Sequence, residues 1–238
     1  MSTPDLPAYK ADFLSACLRG SVIQFGSYTL KSGRTGSPFF FNAGLFLTNA
    51  SLFHSIQTAY AQTLLQSTVS HPDFGFDVLF GPAYKAIPLA AATFSELARL
   101  DGAKFGHVGC AFNRKEVKVH GDGGSLVGAK LEGKRVVVLD DVLTVGTAVR
   151  ESVDIIKAQG GTLAGIVIAL DRMEKLPSTK EGEEAPNISA IAQMRRDFQV
   201  PVLSIISVLD LVEVLRASGS EGDLQRIIEY RKLWGTEE

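Results

Sequence analysis

Uninterrupted runs of Val, Ile and Leu, separated by segments of helical periodicity, most constrain what this 238-residue chain can become. FDVLF (76–80) leads through the turn GPAYK (81–85) into AIPLAAATFSELARL (86–100). RVVVLDD (135–141) leads through VLTVG (142–146) into TAVRESVDIIKAQ (147–159), which Gly160 and Gly161 close. LAGIVIAL (163–170) and VPVLSII (200–206) are two further runs of the same kind. A strand with one wet face alternates apolar and polar residues, whereas a strand apolar at every position must be covered on both sides. The pattern therefore predicts an α/β fold with a central, mainly parallel sheet flanked by helices. Ligands of such sheets gather at the carboxyl ends of the strands. Three places are singled out: GPAYK, DDVLTVGTA (140–148), and the pair Asp171 and Arg172.

Upstream, residues 9–19 and 51–67 carry apolar residues at helical spacing, and VIQFGSYTLKSGRTGSPFFFNAG (22–44) between them reads as strand segments broken by glycine turns. Two segments read as mobile. NRKEVKVHGDGGSLVG (113–128) is rich in glycine and charge and has the composition of a lid, while EKLPSTKEGEEAPN (174–187) reads as a surface insertion. With 45% apolar residues the chain can bury the core of one domain spanning 1–238. A helix also fits LQRIIEYRKLW near the C-terminus.

A net charge of −2 argues against a general nucleic-acid surface, so an anionic ligand must be met by a local cluster of cations. Cys17 and Cys110 are far apart, with no CxxC or His cluster nearby, and read as packing residues rather than a disulfide or zinc site. His54, His71 and His107 have no partner pattern and read as structural or exposed. The N-terminus has no apolar signal core and no run is long enough to span a membrane, so no membrane association and a cytoplasmic location are expected.

The strongest chemical signal is VVVLDDVLTVGTA (136–148). Two carboxylates, Asp140 and Asp141, emerge at a strand tip, and the turn Val142, Leu143, Thr144, Val145, Gly146 runs into a helix at Thr147 and Ala148. Such a turn offers backbone N–H groups and a helix dipole to a phosphate, and Thr144 and Thr147 can add hydroxyl donors. The acids would repel phosphate. They belong beside a ribose diol and the positive charge that grows at its anomeric carbon. This arrangement resembles the phosphoribosyl-pyrophosphate motif of the type I phosphoribosyltransferases. The bland alternative is a strand ending in surface acids, and a kinase P-loop is excluded because no GxxxxGK[ST] occurs.

Arg114, Lys115, Lys118 and His120 concentrate charge in one glycine-flanked segment, enough to receive a departing pyrophosphate. Solvated surface charge is the competing reading. The RKxxKxH pattern is similar to the catalytic loop of the orotate phosphoribosyltransferases, in which the loop closes over a site shared across a homodimer. LKSGRTGSPFFFNAG (30–44) resembles that family's N-terminal signature. The resemblance assigns Lys31 to the pyrophosphate ester and Phe40 and Phe41, aligned on Asn42, to the orotate ring. TGSP holds one residue more than the usual spacing, so these assignments assume a bulge at Gly36. GPAYK is similar to the segment in which Tyr84 and Lys85 reach the pyrophosphate. Arg172 would form a fork with the carboxylate of orotate. Its alternative is a surface arginine paired with Asp171 or Glu174.

The resemblance implies a type I phosphoribosyltransferase fold with a small N-terminal hood (1–70) contributing to the base site and a core (71–238). It implies transfer of phosphoribosyl from phosphoribosyl pyrophosphate to N1 of orotate, dependence on Mg2+, and a homodimer. In it, Asp140 and Asp141 stabilise the sugar, residues 142–148 hold the 5-phosphate with Thr144 also near orotate, and Lys118, Arg114 and His120 join the acids as the catalytic set. A phosphoribosyltransferase for another base would lack the KSG/FFN and RKxxKxH patterns together. A non-catalytic sensor of phosphoribosyl pyrophosphate would carry an added nucleic-acid-binding segment and lose lid cations.

Overall fold

The computed structural model describes residues 6–30, 33–118, 124–178 and 185–236. At its centre is a six-stranded sheet of β3 (Val78–Phe80), β4 (Gly109–Lys118), β5 (Gly124–Gly128), β6 (Arg135–Asp140), β7 (Thr162–Asp171) and β8 (Val202–Ser207), in the order β5-β4-β3-β6-β7-β8. All neighbours are parallel except β4 and β5.

Continuous apolar strands supply two cores. In β6, Val137 and Leu139 enter an apolar cluster on one face while Val136 and Val138 enter another on the opposite face. β7 divides in the same way, Val167 and Ala169 against Ile166 and Ile168. The first cluster holds α1 (Ala8–Arg19), α2 (Ala50–Ser70), α3 (Ala86–Leu100), α7 (Val208–Ser218) and α8 (Glu221–Trp234). The second holds α5 (Thr147–Ala158) and α6 (Ala190–Phe198). A short helix, α4 (Gly102–Phe105), precedes β4.

Winding direction changes between β3 and β6. The chain leaves β3 through α3 toward β4 on one side, and leaves β6 through α5 toward β7 on the other. Adjacent strands whose connections diverge leave an open crevice at their carboxyl ends. GPAYK and DDVLTVGTA are the two turns that flank it.

A separate antiparallel hairpin, β1 (Ile23–Tyr28) and β2 (Ser37–Phe41), is followed by a 3-10 helix over Ala43–Thr48. Phe46 is fully buried, stacked on Phe13 with 5.8 Å between centroids and 6.0 Å from Phe41. Gly36, just before β2, has φ +74°, a left-handed turn that suits glycine, while the irregularity in the hairpin register lies in β1 between Phe25 and Tyr28.

Two expectations need correction. Residues 113–118 and 124–128 are not loop: they are strand, paired antiparallel at the sheet edge with Phe112 opposite Val127 and Lys118 opposite Gly124. An edge strand satisfies its backbone through one neighbour and needs no apolar face, so charge and glycine disguise it. The segment beginning at Glu174 is likewise not wholly a surface insertion. Glu174 bridges Gly235, Lys175 bridges Ser189, and the Glu174 side chain is 11% exposed.

Candidate active site

The tip of β6 is fixed from beneath. Tyr60, on α2 and fully buried, donates its hydroxyl to the main-chain oxygen of Asp140 at 2.7 Å. The main-chain oxygen of Asp141 accepts from the N–H groups of Ala169 (2.9 Å) and Leu170 (3.3 Å). Each carboxylate also binds the next residue: Asp140 Oδ1 accepts the Asp141 N–H and Asp141 Oδ1 accepts the Val142 N–H. Burial, reinforced by the neighbouring Asp141 charge, pushes the Asp140 carboxyl up to about 7, with Lys85 acting in the opposite sense. A group so poised ionises readily once a positive centre arrives.

Beyond the acids, the turn is open. Leu143 is anchored in the second core while Thr144, Val145, Thr147 and Ala148 are exposed. Gly146, at φ +76°, is the N-cap of α5, and no side chain caps that helix. A Cβ at Gly146 would stand 2.7 Å from Met194 Cε, so glycine is demanded by both conformation and space. An uncapped, exposed helix start presents its N–H groups to solvent, which is what a phosphate requires.

Across the crevice, the Ala83–Tyr84 peptide is cis, and the Ala83 N–H donates to Asn113 Oδ1 on β4 at 2.9 Å. Gly81 permits this turn, because a Cβ there would meet the Ala86 carbonyl at 2.4 Å. Tyr84 and Lys85 are both exposed, and Lys115 Nζ sits 5.2 Å from the Tyr84 ring centroid. Arg114 is half-buried on the same strand. Lys118 ends β4, and Lys31 and His120 lie outside the described residues.

A cavity of about 160 Å³ lies between the β1–β2 hairpin and the strand tips. Phe40, Phe41, Lys85, Asp141, Val142, Leu143, Thr144 and Arg172, all singled out by sequence, line it. Phe41 is buried against Phe46, and Phe40, 37% exposed, leans on Tyr28 with 5.6 Å between centroids. Phe39 shares the core with Phe41 and is buried with the Arg172 guanidinium carbon 4.2 Å above its ring.

Arg172 is not on the surface. Its Nε and Nη2 donate to Glu174 Oε1 at 3.0 and 2.7 Å, and Nη2 also donates to Ser37 Oγ. The pairing with Glu174 therefore exists, but inside the cavity rather than in solvent. Sequence reasoning missed Arg34, which lines the same cavity and donates to Glu174 Oε2 at 3.1 Å. It also missed Asn113 and Tyr60. Only a polar residue within an otherwise apolar helical face could have marked Tyr60, and nothing local marks the others.

Among the described residues, no cluster of three or more His, Cys, Asp or Glu is placed to hold a metal, and no helix is long and apolar enough to cross a membrane. Cys17 and Cys110 are free thiols, and burial raises both, that of Cys110 to about 11. His54, His71 and His107 are exposed.

Residues 53–199 match the model of the phosphoribosyl transferase domain. The chain is 47% identical to an orotate phosphoribosyltransferase of Neurospora crassa, over 95% of this chain and 96% of the relative. It is 42% identical to orotate phosphoribosyltransferase 2 of Saccharomyces cerevisiae, over 98% of each. The crystal structure of the Francisella tularensis orotate phosphoribosyltransferase, 36% identical, superposes with a TM-score of 0.73 over 94% of this chain and 99% of that one.

Proposed function

Because the chain belongs to the phosphoribosyltransferases, and within them to the orotate phosphoribosyltransferase family, we propose that the crevice above β3 and β6, with the cavity under the hood, carries out the family's reaction. The enzyme transfers the 5-phosphoribosyl group of phosphoribosyl pyrophosphate to N1 of orotate, giving orotidine 5-monophosphate and pyrophosphate, a step of pyrimidine biosynthesis.

In this reading the exposed turn 142–148 receives the 5-phosphate through main-chain N–H groups and the hydroxyls of Thr144 and Thr147. Asp140 and Asp141 face the ribose hydroxyls and oppose the positive charge that develops as the bond from C1 to the pyrophosphate oxygen breaks. Lys85 and Tyr84 approach from the other side of the crevice, and Lys31, Arg114, Lys115, Lys118 and His120 supply cations for the leaving group. Orotate lies between Phe40, Phe41 and Thr144 with its carboxylate toward Arg172, and its N1 attacks C1 with inversion. Closure of the segment 113–128 over the site excludes water, which would otherwise hydrolyse the activated sugar. The observation that carries this assignment is the open turn beyond Asp141, fixed from below and adjoining one cavity with the two phenylalanines and Arg172.

Mg2+ fits this site as an ion held mainly by substrate oxygens and water, since Asp140 and Asp141 are the carboxylates at the strand tip and form no protein cage. When bound it would neutralise pyrophosphate charge. A homodimer with shared sites and a cytoplasmic location complete the proposal.

The test follows absorbance of orotate with phosphoribosyl pyrophosphate and Mg2+, beside adenine, hypoxanthine and uracil. Consumption of orotate alone is expected. Equal use of another base would sink the assignment of the cavity to orotate.

A further inference from the structure

Two distant parts of the chain meet at one largely buried carboxylate. Glu174, just beyond β7, gives Oε1 to Arg172 and Oε2 to Arg34 of the hood. The three side chains are 11%, 11% and 7% exposed, so little water screens them. Arg34 is held in place independently. Its Nη2 donates to the Lys175 main-chain oxygen at 2.9 Å and its guanidinium carbon lies 4.4 Å over the Trp234 ring of α8. Lys175 is itself tied to α8, its N–H donating to the Trp234 oxygen.

The charge arithmetic of this cluster matters for the base. A carboxylate paired with one guanidinium leaves no net charge, and an arginine so neutralised has little attraction left for a second carboxylate. With Arg34 sharing Glu174, two cations face one anion and a positive charge remains. Asp171, the other acid at this strand end, accepts the Met173 N–H, and Arg231 lies within electrostatic reach of both Asp171 and Glu174. Among the described residues, Arg172 Nη1 makes none of the cluster's hydrogen bonds.

We propose that Arg34 is a specificity-determining residue for the base: by drawing off one oxygen of Glu174 it preserves the charge of Arg172 for the carboxylate of the incoming ring. The inference rests on the reading of Arg172 as the orotate contact. It makes Glu174 a shared counter-ion rather than a competitor of the substrate.

The experiment is a double-mutant cycle on steady-state kinetics, with thermal midpoints recorded for every variant. Arg34→Met is expected to raise the orotate KM at least tenfold, with kcat and the KM for phosphoribosyl pyrophosphate within about threefold of wild type. Arg34→Lys, which keeps the charge, restores most of the loss. In a Glu174→Gln background the same Arg34→Met change costs less than threefold, because no carboxylate remains to be shared. An unchanged orotate KM in Arg34→Met, or an equal loss in both backgrounds, overturns the proposal. If Arg34→Met does not fold, Arg34→Lys beside Trp234→Leu decides it: loss of the stack alone must leave the orotate KM within threefold. Arg172→Ala separates the two levels, since an unchanged orotate KM in that variant removes the underlying reading, whereas a raised one with an indifferent Arg34→Met removes this inference alone.

Discussion

The Tyr60 hydroxyl, sealed in the core, holds the main-chain oxygen of Asp140 at 2.7 Å, so a helix of the hood side sets the height of a carboxylate at the sheet's tip. Tyr60→Phe removes the donor and leaves the ring. We expect a loss of about 1 to 3 kcal/mol of stability, the range for a buried acceptor left without its partner, and a lower kcat. Chemical denaturation and steady-state kinetics check both; an unchanged kcat would show that this bond supports the fold only.

The raised Asp140 carboxyl makes the unliganded protein pH-sensitive. An unfolded aspartate releases its proton near pH 4, whereas the folded one keeps it until about pH 7, so the unfolded state binds fewer protons between these values. Stability therefore declines as pH rises from 4 to 7. Asp140→Asn removes this dependence and should be more stable than wild type at pH 8, by up to about 4 kcal/mol, with little difference at pH 4, while turnover collapses. Melting curves across that range decide the matter, and a gain independent of pH would refute it.

Gly146 meets two constraints that a double mutant can pull apart. Gly146→Ala forces a side chain into the left-handed region, costing about 1 to 2 kcal/mol, and drives its Cβ against Met194. We expect reduced stability and a higher KM for phosphoribosyl pyrophosphate. Adding Met194→Ala relieves the clash but not the dihedral angle. The two substitutions should thus be non-additive in denaturation experiments, and strict additivity would mean that the contact is irrelevant.

Lys118→Ala should lower turnover by roughly a hundredfold, the scale of losing one charge that stabilises a leaving group, while the orotate KM moves little. Normal turnover would take the β4–β5 tip out of the reaction.

The βα frame was legible because burial on both faces writes itself locally, as an unbroken apolar run ending in Asp140 and Asp141. α7 was not, because VLSIIS passes directly into VLDLVEVLRAS and only the Ser207–Asp210 capping box marks the change from strand to helix. β4 was hidden by the charge of its far half, which pairs only with β5, and β5 by its glycines. In the site, the turn 142–148 could be read because its chemistry is contiguous. Arg34 could not, since its meaning lies in Glu174, 140 positions away, and in Trp234 on a helix whose sequence carries no sign of the base.

That separation has a consequence for how the molecule comes into being. A hairpin synthesised early holds an arginine whose partners leave the ribosome much later, the aromatic one later still. The nascent protein can thus wind most of its sheet before that guanidinium has met either its counter-ion or the ring it rests on.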